Sequence, residues 1–151
     1  MLALLAVSAS AALAQPSLTN ARGLDFGRFV SGSGGTVIVS PAGLRSRSGA
    51  VVLLTSPGAG QAIFNVNRIS GIGSGTDTAT AVSISLPVNG SVWLTGSGGG
   101  AMAVNNFVST PAATGSIQAP RTLAVGATLS VAPNQAPGTY SGTFSVIVDY
   151  Q

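Results

Sequence analysis

Any chemistry in this chain falls to three aspartates. Asp25, Asp77 and Asp149 are the only acidic residues, and six arginines (22, 28, 45, 47, 68 and 121) are the only basic ones; there is no His, Cys, Glu or Lys. General acid–base and covalent catalysis draw mostly on those missing types. Asp25 and Asp149 fall within alternating stretches that turn them to solvent, and Asp77 sits in "GSGTDTAT", a polar loop. Transition metals prefer imidazole and thiolate ligands, and calcium at Asp77 would find a single carboxylate. The expectation is a protein that is not an enzyme and needs no cofactor or metal.

Other motifs are equally spare. "GSGGGA" at 96–101 has the letters of a dinucleotide fingerprint. That motif needs a strand before it and a helix after it, and "MAVNNFV" does not read as a helix. It reads as a flexible loop. Trp93 is out of phase with Val92 and Leu94, which predicts an exposed indole. Such a ring is either a partly covered surface aromatic or a contact for a surface ligand such as a sugar. The net charge of +3 comes from scattered arginines, and "RSRS" reads as a solvated turn, so nucleic acid is not an expected partner.

These residues are carried by short alternating segments. Charged residues make up 6% of the chain, against about 25% in an ordinary soluble domain. The apolar fraction of 45% is too high for disorder. No segment sustains a helical period. β-type runs recur instead between Gly, Pro, Asn and Ser: "GLDFGRFV", "TVIVS", "AVVLLT", "AIFNVNRI", "AVSISLP", "SVWLTG", "AMAVNNF", "TLAVGATLSV" and the final "GTYSGTFSVIVDYQ". "AVVLLT", apolar on both faces, predicts a central buried strand. In the last run Tyr140, Phe144, Val146, Val148 and Tyr150 share one parity. About nine strands, each with one apolar face, predict an all-β, immunoglobulin-like sandwich. No fixed repeat supports a solenoid.

The first residues, "MLALLAVSASAALAQ", form an apolar run ending in small residues. Ala12 and Ala14 fit a signal-peptidase site, so a signal peptide is expected over 1–14 with the mature chain starting at Gln15. The run is too short for a membrane span of about 20 residues, so no stable membrane insertion is expected. No Lys or Arg precedes it, which suggests a recorded start downstream of the true one. The expected organisation is a leader, a short extension over 15–23 and a β-domain over 24–151, exported through the periplasm without disulfides.

Several stretches carry a family resemblance. "LDFG", "GTVIVSPAG", "FNV", "SISLP", "VGATLSV" and "NQAPGTYSGTFSVIVDY" resemble domain-of-unknown-function family 4402, a bacterial secreted family. "LDFGRF" and the closing "APGTYSGTFSVIVDY", with its penultimate Tyr150, also resemble chaperone–usher pilins of the archaic, spore-coat-U type. That resemblance implies a sandwich lacking its last strand, completed by β-strand addition at an open edge. It implies that Phe144, Val146, Val148, Tyr150 and Gln151 form the strand bound by a neighbouring subunit or chaperone. The partners implied are other fibre subunits (most simply copies of this chain), a periplasmic chaperone and an outer-membrane usher. The extension offers only Leu18 as an apolar donor residue. Three arrangements stay open: a donor running on through "LDFGRFV", a subunit that only accepts strands, or a self-complete domain. From a different class comes a stand-alone secreted sandwich that binds a glycan or protein through Trp93 and the Gly-rich loops.

Overall fold

A computed structural model describes residues 17–67, 82–110, 112 and 121–150. The expected leader, with Ala12, Ala14 and Gln15, lies outside the described residues, as do Asp77 and Gln151 and the side chains of Asp149 and Tyr150. The described residues are all-β. In chain order the strands are β1 (Ser17–Arg22), β2 (Phe29–Val30), β3 (Gly35–Val39), β4 (Arg45–Gly49), β5 (Val52–Leu53), β6 (Ala62–Asn67), β7 (Val82–Ser85), β8 (Val92–Gly96), β9 (Ala101–Thr110), β10 (Arg121–Val131), β11 (Tyr140–Ser141) and β12 (Ile147–Tyr150). β1 lies within the stretch that the sequence assigns to an extension, and pairs antiparallel with β6.

The main sheet runs β1-β6-β10-β9-β8-β11, with β3 also on β10 and β4 on β3. β10 organises it. Its first half, Arg121–Val125, pairs with β6, and its second half, Ala127–Val131, pairs with β3. Gly126 sits at the switch. A β-carbon there would overlap the Val39 carbonyl oxygen and lie 2.7 Å from the Ser40 carbonyl carbon. Leu123, Val125, Ala127, Leu129 and Val131 are all buried, so one parity holds along the whole strand.

Facing this sheet are two ribbons, β2–β5 and β7–β12. Phe26, Phe29, Val51 and Leu53 of the first pack with Val37, Val39, Met102, Val104 and Leu129. Ile84, Val146 and Val148 of the second pack with Phe64, Val66, Leu123 and Val125. Leu24, Phe107 and Phe144 touch both clusters. The architecture is therefore a β-sandwich whose second layer is in two pieces.

Three local features depart from the sequence reading. "AVVLLT" is not a central strand. Only Val52–Leu53 is strand, and it pairs with β2 alone. Val51 is fully buried, but Val52 is 50% exposed, because the ribbon's outer face has nothing over it among the described residues. "RSRS" is not a turn but β4, the strand beside β3. Arg45 and Arg47 stand opposite the buried Val39 and Val37, so both arginines belong to the inward parity. Inward-directed charge of this kind discourages further pairing at a sheet edge. In β9, "NN" is a bulge. Val108 opposes Gly126 and Asn105 opposes Thr128, so Asn106 and Phe107 together face Ala127. Asn106 takes φ 52°, a left-handed conformation that Asn tolerates. The inward parity moves from Met102 and Val104 to Phe107 as a result.

The Gly-x-Tyr that opens the last run forms a tyrosine corner, a feature of immunoglobulin-type sandwiches. Tyr140 donates its hydroxyl to the Ala136 carbonyl at 2.6 Å and accepts from Gln135 Nε2 at 3.0 Å. Tyr140→Phe should lower stability by about 1–3 kcal/mol, because a part-buried carbonyl and amide lose their partner. Urea unfolding with an unchanged slope would check this.

Candidate functional site

The gap between the β2–β5 ribbon and the segment around β11, the edge strand of the main sheet, is a groove of about 1400 Å³. Residues 22–31 form one wall and residues 135–144 the other. Its floor is the apolar interior of the main sheet, including Phe64, Val92, Leu94, Met102, Val104 and Leu129. Backbone direction in the walls follows from the pairing. On the first wall, Leu54 N donates to the Arg28 oxygen at 2.9 Å, and Phe29 opposes Leu53. Pairing with β5 thus uses the backbone groups of Arg28 and Val30. Those of Phe29 point away from β5, towards the groove. On the second wall, Ser97 N donates to the Thr139 oxygen at 2.9 Å, and Tyr140 opposes Gly96. The N–H and C=O of Tyr140 accordingly point away from β8, also towards the groove. Neither residue's backbone groups find a partner among the described residues, nor do those of 142–146. Unpaired main-chain groups therefore line both sides of an apolar trough.

Arginines position the first wall. Arg45 Nη1 donates to the carbonyls of Phe26 (3.1 Å) and Arg28 (3.3 Å), and its Nη2 donates to that of Leu54. Arg22 Nη2 donates to Gly58 O at 2.7 Å. Gly27, at φ 74°, lets the chain pass beside the Arg45 guanidinium, which a β-carbon would overlap. Asp25 accepts from Gly27 N at 2.7 Å through its Oδ1, and Ser56 Oγ accepts from Arg28 N at 2.7 Å. An arginine suits this task, since its planar fork of donors reaches several carbonyls at once. Arg45→Ala should cost about 2 kcal/mol, within the range for hydrogen bonds to charged groups. It should also raise amide exchange at Phe26–Val30 selectively, measurable by hydrogen exchange.

Of the terminal-strand residues singled out by sequence, Phe144 lines the groove. Val146 and Val148 pack on the second cluster beneath β7, and Ile147, of opposite parity, is 55% exposed. The backbone of Tyr150 pairs with Val82. Trp93 lies on the far face of β8 from the groove and is 52% exposed, as its phase predicts. Asp25 makes the local turn described above, far from any cluster of ligands. Among the described residues no three His, Cys, Asp or Glu come together. "GSGGGA" closes the β8–β9 hairpin, with Gly96 N donating to Gly100 O at 3.1 Å. The sequence reading did not single out Leu24, Phe29, Tyr140 or Arg45. The signals available were Gly27 after an apolar pair and the Gly-x-Tyr spacing. The groove contributes main-chain hydrogen bonds and apolar contact, which suit an extended peptide.

The family model described as Domain of unknown function (DUF4402) matches residues 17–150. No curated protein and no solved structure matches the chain.

Proposed function

This chain belongs to the DUF4402 family, and we propose that it is a structural subunit of a bacterial surface fibre whose groove accepts a β-strand from a neighbouring subunit. The observation that carries this reading is the pair of facing backbone edges, at Phe29 and Tyr140, over an apolar floor. A strand laid between them would join the β2–β5 ribbon to β11 at the edge of the main sheet, which is the geometry of β-strand addition. Alternate side chains of the incoming strand would rest on Leu94, Phe144 and Leu129. A periplasmic chaperone holds the groove before assembly and an usher exchanges it for the next subunit, so the protein is exported through the periplasm to the cell surface. The resemblance of both chain ends to archaic pilins supports this assignment, and a sparsely charged, hydroxyl-rich exterior suits a fibre component outside the cell.

The test is thermal unfolding with and without an alternating apolar strand fused after Gln151 through a flexible linker. Four newly buried apolar side chains at about 1.5–3 kcal/mol each contribute roughly 6–12 kcal/mol before ordering costs. The fused protein should melt well above the parent, and a variant with Asp at the central apolar position of the added strand should lose the gain. An unfused monomer that melts cooperatively and gains nothing from the strand would mean that the sandwich is complete without a partner.

A further inference from the structure

On the face of β8 opposite the groove, we infer a second binding site, for a neutral saccharide, centred on Trp93. Val92 and Leu94 line the groove, and Trp93 between them points to the outer face. The cross-strand neighbour of Trp93 is Ala103, whose methyl is too small to cover an indole. The ring is also anchored. Its Nε1 donates to Gly90 O at 3.3 Å. The Asn89–Gly90 turn is itself clamped to the β9 bulge: Gly90 N donates to Asn105 Oδ1 and Asn106 N donates to Asn89 Oδ1, both at 2.8 Å. An exposed aromatic normally keeps rotamer freedom. Here that freedom is already restricted, so less is lost when a ligand stacks on the ring.

The ring's surroundings define the ligand class. Asn105 stands on the same face, and its Nδ2 has no partner among the described residues. Leu129 opposes Val104 at the end of the β9–β10 pairing, and the next residue of β10, the exposed Ser130, takes the outer parity that Ala103 has on β9. Ser130 pairs with Thr36, and Thr36 with Ser48, so hydroxyls continue the row across β10, β3 and β4. No charged side chain enters this row, because Arg45 and Arg47 belong to the opposite parity. An apolar ring face bordered by neutral donors and acceptors complements the C–H face and hydroxyls of an uncharged sugar. It offers nothing to a phosphate, a carboxylate or a basic peptide. The site stands independently of the groove, so a subunit with its groove filled still presents it.

Trp93 is the only tryptophan in the chain, so its emission reports on the site directly. The experiment titrates the full chain with neutral linear oligosaccharides, namely hexamers of β-1,4-glucose, α-1,6-mannose and N-acetylglucosamine. A saturable blue shift is expected with at least one of them. Ala103→Leu, which covers the ring and keeps the fluorophore, should weaken that binding at least about tenfold. Trp93→Ala should abolish binding by calorimetry, while Trp93→Phe retains part of it and every variant keeps the parent's melting temperature within a few degrees. Thermal stabilisation by the fused strand should be the same in Trp93→Ala as in the parent, which separates this site from the groove. Emission unchanged up to about 10 mM of every sugar, ten times a weak 1 mM affinity, overturns the inference. So does a shift that survives Ala103→Leu at full affinity.

Discussion

Gly126→Ala should leave no folded domain under conditions where the parent melts cooperatively. At this residue β10 leaves β6 and joins β3, and the Val39–Pro41 backbone passes directly over it. The Val39 carbonyl, the Ser40 carbonyl carbon at 2.7 Å and the Pro41 nitrogen at 2.9 Å occupy the space of a β-carbon. All three are main-chain atoms, so no side chain can swing aside. Relief would require β3 to move off β10, breaking the register from Ala127↔Val39 to Val131↔Gly35. Ordinary overpacking costs about 1–3 kcal/mol. This substitution should exceed that range and consume much of a typical stability of about 5–15 kcal/mol. Far-UV circular dichroism and a thermal melt decide the matter, and an alanine variant melting within a few degrees of the parent would disprove the strand switch.

Phe144→Ala should destabilise by about 3 kcal/mol, the lower end for truncating a core phenylalanine because the ring is only half-buried. Phe144 connects the two core clusters. It meets Phe64 edge-on, with centroids 6.0 Å apart, and Phe107 at 5.1 Å. Aromatic pairs of this kind add about 0.5–1.5 kcal/mol beyond burial. Phe144→Leu should recover much of the apolar area but not the ring contacts, placing it between the two. In this size range a loss of about 3 kcal/mol should lower the melting temperature by roughly 10 °C. If Phe144→Ala and Phe64→Ala are strictly additive in a double-mutant cycle, the two rings do not couple in solution.

How much of this was legible in the sequence varies with the element. The long strand at 121–131 was plain, because a single parity runs from Leu123 to Val131. The inward parity of Phe144, Val146 and Val148 was equally clear, as was the exposure of Trp93. "AVVLLT" misled because an apolar run shows what a segment avoids, not how many strands flank it. Its Val52 faces outwards on a two-stranded ribbon. "RSRS" misled because its serines and arginines alternate without any apolar residue, so the period-2 signal is carried by polar side chains alone. Arg45 is satisfied by the carbonyls of Phe26, Arg28 and Leu54, and Arg47 by that of Gly49, groups that sequence patterns do not display. The "NN" bulge was hidden because it changes parity midway along β9. The groove could not be read from composition, since it is made by main-chain groups of Phe29 and Tyr140 whose direction depends on pairing.

β10 also sets the order in which the domain can form. It is the shared partner of β3, β6 and β9, and it lies late in the chain. A chain emerging from its amino terminus can close the β3–β4 hairpin early, but the central edges of β3 and β6 stay unpaired until residue 131 is available. Cooperative folding is thereby deferred until synthesis has passed residue 131, and its closures are long-range ones, the kind that fold in milliseconds to seconds. On the proposed export route this delay is useful, because a translocation channel passes unfolded chain. It also defines the interval of greatest exposure to aggregation, when two apolar strands wait with open edges for the same late partner.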